Sequence, residues 1–97
     1  MSKLHELKTA PDHLDSVIDG SKPFELRCND RAFQKGDTLL LREYRSASYG
    51  PRAVLATVTH VLSGKPWLAD NYVALGIRVD KIDLLHYGSG LGVKEDE

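Results

Sequence analysis

The stretch "GSKPFELRCNDR", which begins at Gly20, holds closely spaced charged side chains that could form a binding site. Arg27 can grip a phosphate through paired donors, and Lys22 adds a compact positive charge. Glu25 could accept a hydrogen bond from the amino group of a nucleobase, or hold the two cations in place. The alternative is a ladder of surface ion pairs, which would contribute little to stability.

Apolar and charged residues alternate within this stretch, which predicts a β-strand over "FELRCN". Phe24, Leu26 and Cys28 occupy one face of that strand, and Glu25 and Arg27 occupy the other. We expect the apolar face to point into the core, with Cys28 acting as a small hydrophobe and not as a reactive thiol. The two charged side chains would then project from the opposite face as candidate ligand contacts.

The elements that would position this strand begin with a short amphipathic helix over "APDHLDSVIDG". Pro11 suits the first helical position, and Leu14, Val17 and Ile18 share one face. Gly20 can adopt the left-handed conformation that ends a helix. The preceding segment "KLHELKT" predicts a first strand, so the helix must lay its apolar face on the sheet that follows.

Three longer strands are predicted after the charged stretch, over "TLLLREYR", "AVLATVTHVL" and "YVALGIRV". In the last of these, Val73, Leu75, Ile77 and Val79 alternate and should point inward. The connecting segments "RSASYGPR" and "SGKPWLADN" are predicted loops. "DKIDLLHY" favours either a strand or a helical turn. The pattern therefore predicts an α+β fold with one helix and about five strands.

Length and composition indicate one domain, because 97 residues suffice for one core but not for two. We expect the domain to cover residues 1–87 and the Gly-rich, acidic residues 88–97 to form a flexible tail. No apolar run is long enough to span a membrane, and the charged start "MSKLHELK" is unlike a signal peptide. Together with a single cysteine, these features favour a cytoplasmic protein.

The charge of the chain limits its partners only weakly. A net charge of −1 argues against a strongly basic nucleic-acid-binding protein. Positive charge is nevertheless concentrated in the middle of the chain, because residues 20–52 hold seven Lys and Arg residues against four acidic ones. An excess of this size also fits ordinary surface scatter, so it does not identify a partner by itself.

Metal-binding and phosphate-binding motifs are incomplete in this sequence. "HELK" starts like a zinc-protease helix but has Thr9 where the second histidine belongs. The four histidines are widely separated and there is no cysteine cluster, so no metal or other cofactor is expected. "SGKP" has Pro66 where a phosphate-binding loop needs Ser or Thr.

The pattern Gly20-x-Lys22-x-x-Glu25-x-Arg27 resembles the signature of the ASCH domain, a branch of the PUA-like superfamily. The "HELK" start, the "GSKPFELRCNDRAFQKGD" block and the "YVALGI" strand extend the resemblance over residues 4–79, to a small stand-alone branch in bacteria and phages that is uncharacterised. The resemblance implies a small PUA-like β-barrel of about five to six strands with one or two short helices packed beside it. It also implies a cleft between the first helix and the barrel, with RNA or a modified nucleotide as ligand.

The residues expected to bind the nucleic acid or nucleotide are Lys22, Glu25 and Arg27, as the resemblance implies, together with Arg31 and Trp67. Trp67 lies beside Lys65 in a loop, and Tyr49 lies among arginines, arrangements that suit base stacking. The alternative for Trp67 is that it caps the core. His5 and Lys8 also belong to the resemblance, with no role assigned. We expect a monomer with no membrane partner.

Some ASCH relatives are enzymes that hydrolyse the amide of an acylated cytidine nucleoside or cleave RNA. In the amidohydrolase branch a Thr nucleophile stands at the position of Glu25. A carboxylate there would form an anhydride with the acyl group, so that mechanism is not expected here. Glu25 as general base, with Lys22 stabilising an oxyanion, is the hydrolytic alternative to a binding module. A third alternative is a protein-interaction module that uses the Trp67 loop or the acidic tail.

Overall fold

In the computed structural model, which describes residues 2–64 and 66–83, five strands form one curled sheet and one helix packs against it. The elements in chain order are β1 Leu4–Thr9, α1 Pro11–Ile18, β2 Phe24–Cys28, β3 Thr38–Arg45, β4 Ser48–Ser63 and β5 Tyr72–Asp83. The strand order is β1-β3-β4-β5-β2, with β1 and β3 parallel and all other neighbours antiparallel. The sheet curls into a half-barrel, which confirms the predicted small α+β fold.

The helix forms where the sequence predicts it. Pro11 occupies its first turn, and its apolar face packs against β3 and β5. Gly20 has a φ of +85°, the left-handed conformation that favours glycine, and it turns the chain away from the helix. Lys22 N then donates to Ser16 O at 3.0 Å, so the segment after the helix is tied to its last turn.

The core lies on the concave side of the sheet. As predicted, β5 directs Val73, Leu75 and Ile77 inward, with Val79 partly buried beside them. The largest fully buried side chains on other elements are Leu14 and Val17 of α1, Leu39 and Leu41 of β3, and Val54 and Val58 of β4. Burial of each such side chain contributes about 1.5–3 kcal/mol, so α1, β3, β4 and β5 supply most of the hydrophobic stabilisation.

Arg52 on β4 ties the helix to the sheet. Its Nε and Nη2 donate to the two carboxylate oxygens of Glu43 at 3.2 and 3.1 Å. Its Nη1 donates to Asp15 of α1 at 2.5 Å, and its Nη2 also donates to Pro11 O at 3.2 Å. The hydrogen bonds to Glu43 are the main cause of the raised pKa of Arg52. A charged network therefore holds α1 in addition to its apolar face.

The predicted facing of β2 is wrong. Phe24 and Leu26 are 45% and 50% exposed, and Cys28 is exposed as well. Glu25 is only 3% exposed, and Arg27 is half-buried. The charged side chains of β2 thus point inward, and Cys28 is not a buried hydrophobe.

The register between β2 and β5 explains this reversal. Glu25 pairs with Leu75 and Arg27 pairs with Val73. Residues directly opposite each other in a ladder share a face, and both partners on β5 are core residues. Because side chains alternate along a strand, the apolar residues of β2 must then point outward. The stronger apolar pattern of β5 therefore decides how β2 is oriented.

The predicted loop "RSASYGPR" is mostly strand. A two-residue turn joins β3 to β4 at Ser46 and Ala47, whose φ values of +52° and +65° match the type I′ turn of a tight hairpin. Gly50 follows within β4, where a Cβ would lie 2.6 Å from Glu43 Oε1. The glycine therefore permits a close approach to Glu43, and the proline after it lies where the strand register shifts.

Some predictions concern residues outside those that the structure describes. β5 extends to Asp83, so "DKIDLLHY" begins as strand, while its residues 84–87 lie outside the described part. The predicted tail, residues 88–97, also lies outside it, and the domain boundary stays a prediction. Within residues 2–64 and 66–83, no helix is long and apolar enough to cross a membrane.

Candidate functional site

In the part of the chain that the structure describes, β1 and β2 are the edge strands of the half-barrel, and we call the gap between them the seam. Arg27 on β2 crosses the seam, since its Nη2 donates to Lys8 O at 2.9 Å and to Thr9 Oγ1 at 3.4 Å on β1. Arg31, after β2, donates to Glu6 O of the same strand at 2.8 Å. The two arginines thus supply donors to an edge strand that has no backbone neighbour on this side among residues 2–64 and 66–83.

A cavity of about 440 Å³ opens at the end of the seam beside α1, and we call it the helix-side cavity. One wall comes from the end of β1 and the first turn of α1, namely Lys8, Thr9, Ala10 and His13. The other comes from β2 and the segment before it, namely Lys22, Phe24, Glu25, Leu26 and Arg27. The structure therefore brings Lys22, Glu25 and Arg27 together between the helix and the sheet.

Glu25 lines the helix-side cavity and has one carboxylate oxygen that is buried. Its side chain is 4% exposed, and its Oε2 has no hydrogen-bond partner in the part of the chain that the structure describes. Arg27 Nη2 lies 3.6 Å from this oxygen, within range of an ion pair but too far for a hydrogen bond. An acceptor left in this state costs about 1–3 kcal/mol, more when it is charged. Because this oxygen has almost no accessible surface, a donor on a ligand satisfies it only when the Glu25 side chain turns toward the cavity that it lines.

Two ammonium groups stand on opposite walls of the helix-side cavity. Lys22 Nζ lies 5.7 Å from the centroid of the Phe24 ring. Lys8 Nζ lies 4.6 Å from the centroid of the Tyr44 ring. Cation–π contacts at exposed sites are weak, so both charges stay available to an anionic ligand.

A second cavity, of about 530 Å³, lies farther along the seam, and we call it the strand-side cavity. Its lining residues are Glu6, Leu7, Lys8, Arg27, Arg31 and Tyr49. Of the predicted contacts, Arg31 lies only here, whereas Arg27 lines both cavities. Tyr49 is 45% exposed, and its ring centroid lies 3.9 Å from Cζ of Arg42.

Trp67, the remaining predicted contact, lies apart from both cavities. It is 71% exposed in the loop between β4 and β5 and lines neither cavity. The alternative that Trp67 caps the core is wrong, because a capping side chain would be largely buried. Its sequence neighbour Lys65 falls outside the described residues.

Thr9 and His13 line the helix-side cavity, although no motif in the sequence indicates a binding role for either residue. Thr9 is the last residue of β1 and is buried, and His13 lies on the exposed side of the first turn of α1. Both residues lie where the first strand meets the helix. A cleft between the helix and the sheet must be lined by residues from that junction, so their position in the sequence could have indicated a role in the site.

The histidine of "HELK" has a structural partner and lines neither cavity. His5 Nε2 lies 2.8 Å from Asp37 Oδ2, and both residues are buried. Asp37 also accepts hydrogen bonds from the backbone N–H groups of Lys3 and Gln34, each at 3.0 Å. Burial raises the pKa of Asp37, but the hydrogen bonds outweigh it and lower the pKa overall. Because a carboxylate only accepts, Nε2 of His5 carries the hydrogen.

The chemistry of the two cavities is that of polar recognition. Among residues 2–64 and 66–83, no group of three or more His, Cys, Asp or Glu side chains is placed to hold a metal ion. The cavities instead combine several cations with one buried carboxylate. This combination suits a ligand that carries both an anionic group and a hydrogen-bond donor.

Comparison with known proteins places the matched region over the whole site. Residues 4–77 match the family described as "Domain of unknown function (DUF3850)". The chain is also 40% identical over 75 residues to a protein of Escherichia phage P2 described as "Uncharacterized 12.9 kDa protein in GpA 3'region". That alignment covers 77% of this chain and 68% of the phage protein. The chain therefore belongs to the DUF3850 family, whose members carry a domain of unknown function.

Proposed function

We propose that this protein binds RNA or a nucleotide in the helix-side cavity through Lys22, Glu25 and Arg27. The observation that carries the proposal is the buried Oε2 of Glu25, which has no donor in the described part of the chain. An amino or imino group of a nucleobase can supply that donor when the Glu25 side chain turns toward the cavity. This hydrogen bond would offset the desolvation penalty of the buried oxygen, which no donor in the described part of the chain offsets.

The charges around Glu25 support an anionic ligand. The charged side chains that line the two cavities are the cations Lys8, Lys22, Arg27 and Arg31 and the carboxylates Glu6 and Glu25. The excess of cations contrasts with the net charge of −1 for the whole chain. We therefore expect local attraction of phosphate groups, and binding that weakens as salt is raised.

We also propose that this family is a branch of the ASCH domains within the PUA-like superfamily. The residues of the signature support this, because Lys22, Glu25 and Arg27 line a cleft between the first helix and the sheet. A barrel-like sheet of five strands with one helix beside it, in the described residues, is the kind of fold that the resemblance implies. We further propose that the protein is cytoplasmic and monomeric.

Calorimetric titration at low salt, with the four 5′-ribonucleoside monophosphates and a short mixed-sequence RNA, tests the binding proposal. We expect saturable binding of at least one ligand. Glu25→Gln and Arg27→Ala should each weaken it about tenfold, because each removes a charge-assisted contact. Arg78→Ala is the matched control, since Arg78 is an exposed arginine on β5 that lines neither cavity.

Absence of binding across the panel would refute the proposal, as would unchanged binding by Arg27→Ala. Arg27 also donates to Lys8 O, so the unfolding of each variant is compared with that of the wild type first. Glu25→Gln removes no hydrogen bond of Oε2, so ligand binding by this variant tests the proposal if Arg27→Ala fails to fold.

A small hydrolase is the second candidate, favoured by the convergence of Thr9, His13 and Lys22 with Glu25 in one cavity. Glu25 would act as general base on a water molecule, and Lys22 would stabilise the oxyanion formed on the substrate. Incubation with acylated nucleosides and with RNA, followed by mass spectrometry, separates the two candidates. Turnover that is lost in Lys22→Ala and Glu25→Gln would favour the hydrolase, and binding without product would favour the binding module.

A further inference from the structure

The two cavities are joined by residues that they share, and this bears on the length of the ligand. Lys8 and Arg27 line both cavities, and Arg27 Nη2 donates to Lys8 O at 2.9 Å. Arg27 therefore stands at the boundary between them. A ligand confined to the helix-side cavity would leave Arg31 and the exposed ring of Tyr49 without contact.

Arg27 keeps donors for a group placed at this boundary. Both of its hydrogen bonds and its ion pair with Glu25 involve Nη2. Within the described part of the chain, its Nε and Nη1 make no hydrogen bond, although a guanidinium carries donors on all three nitrogens. These donors suit a phosphate that lies between the two cavities.

Tyr49 offers a stacking surface in the strand-side cavity. The Cζ atom of Arg42 lies 3.9 Å from the centroid of the Tyr49 ring, and the Tyr44 and Tyr49 rings pack in a T-shaped arrangement with centroids 5.0 Å apart. These contacts hold the ring in place, so it loses little freedom when a base stacks on its exposed part. Arg31 lines the same cavity and gives it a second guanidinium beside that of Arg27.

We infer that the ligand is a single-stranded oligonucleotide of at least two nucleotides. One base enters the helix-side cavity against Glu25, the linking phosphate lies on Arg27, and the next base stacks on Tyr49. The inference rests on the proposed function and adds to it the length of the ligand and its path along the seam.

A length series on the wild-type chain tests the inference. Mono-, di-, tri- and hexanucleotides of one base composition, in ribose and deoxyribose forms, compete with a fluorescent hexanucleotide in an anisotropy assay. We expect affinity to rise about tenfold or more between the mononucleotide and the trinucleotide, because stacking on an aromatic side chain adds to binding.

Variants of Tyr49 locate the added contact. Tyr49→Ala should weaken binding of the trinucleotide about tenfold and leave that of the mononucleotide unchanged, whereas Tyr49→Phe should keep the wild-type affinity. Tyr72→Ala is the matched control, because Tyr72 is also 45% exposed but lines neither cavity.

Equal affinity for the mononucleotide and the trinucleotide would overturn the inference and leave the proposed function standing. An effect of Tyr49→Ala on the mononucleotide alone would also overturn it. Absence of binding at every length would overturn the proposed function, and the inference with it. The length series uses the wild-type chain, so it decides the inference even if Tyr49→Ala does not fold.

Discussion

Glu25 occupies a position that opposes folding. Its carboxylate leaves water when β2 joins the sheet, yet its Oε2 gains no hydrogen bond in the described part of the chain, only an ion pair with Arg27 at 3.6 Å. A buried polar group of this kind persists where something other than stability requires it. The cavity beside it supplies that requirement in our proposal, because a ligand donor would complete the interaction.

Glu25→Gln should therefore leave the free energy of unfolding unchanged or raise it by about 1 kcal/mol, because a neutral amide is easier to bury than a carboxylate without a donor. Urea denaturation measures this. Glu43→Gln is the matched comparison, since Glu43 accepts hydrogen bonds from Arg52, and its loss should cost about 1–3 kcal/mol. A loss above about 1 kcal/mol for Glu25→Gln would show that this residue supports the fold.

Among the elements, α1 depends most on tertiary contacts for its stability. A helix of eight residues is not stable alone, so tertiary contacts must hold it in place. Its apolar face and Arg52 provide those contacts, and Ala10 and His13 at its start form part of a wall of the helix-side cavity. The position of the helix therefore sets the width of the candidate site.

Arg52→Met should lower the free energy of unfolding by about 1–3 kcal/mol, because it removes both guanidinium donors of the half-buried Glu43 and leaves it only the backbone N–H of residue 52. Arg78→Met is the control, since Arg78 pairs with Asp80 at 3.0 Å on an exposed surface, and its loss should cost less than about 0.5 kcal/mol. Both variants are compared by urea denaturation. Equal effects for the two arginines would contradict a special role for Arg52 in holding α1.

At the scale of the whole molecule, the candidate site lies where the described strands leave the half-barrel open between β1 and β2. A closed barrel would join β1 and β2 by backbone hydrogen bonds and leave no space between them. Here Arg27 and Arg31 span the seam with side chains, and cavities open along it. Because these side chains are cationic, the same residues that bridge the edges also give the seam its positive charge.

The buried His5–Asp37 pair should make the stability of the whole domain depend on pH. Burial raises the pKa of Asp37, but hydrogen bonds lower it below its ordinary value of 3.8. The unfolded chain therefore binds the proton more readily, so the stabilisation is present above about pH 3.8 and is lost as pH falls through the lower pKa of the folded state.

Asp37→Asn should cost about 2 kcal/mol near neutral pH, because an amide cannot replace all the acceptor contacts of the carboxylate. The difference between wild type and variant should narrow as pH falls below about 3.8. Urea denaturation in steps from about pH 7 to about pH 3 measures this, with Asp12→Asn on the exposed surface of α1 as control. A difference that stays constant over this range would contradict the assigned charge state of Asp37.

Local sequence predicts much of this fold because backbone preferences and the alternation of apolar residues act over short stretches of the chain. Pro11 and Gly20 bound the helix through their own backbone preferences, and both do so in the structure. The alternation from Val73 to Ile77 orients β5 because it is long and strongly apolar. Lys22 and Arg27 also lie in one cavity, as the signature resemblance implies.

The sequence by itself thus determined the helix, the number of strands in the described residues and the membership of Lys22, Glu25 and Arg27 in one stretch. Only the tertiary structure decided which way that stretch faces. β2 is a five-residue edge strand whose own pattern is too short to set its register, so pairing with β5 placed Glu25 inside and Phe24 outside. The approach of β1 to β2 likewise depends on contacts distant in sequence, which made Lys8 and Thr9 part of the site.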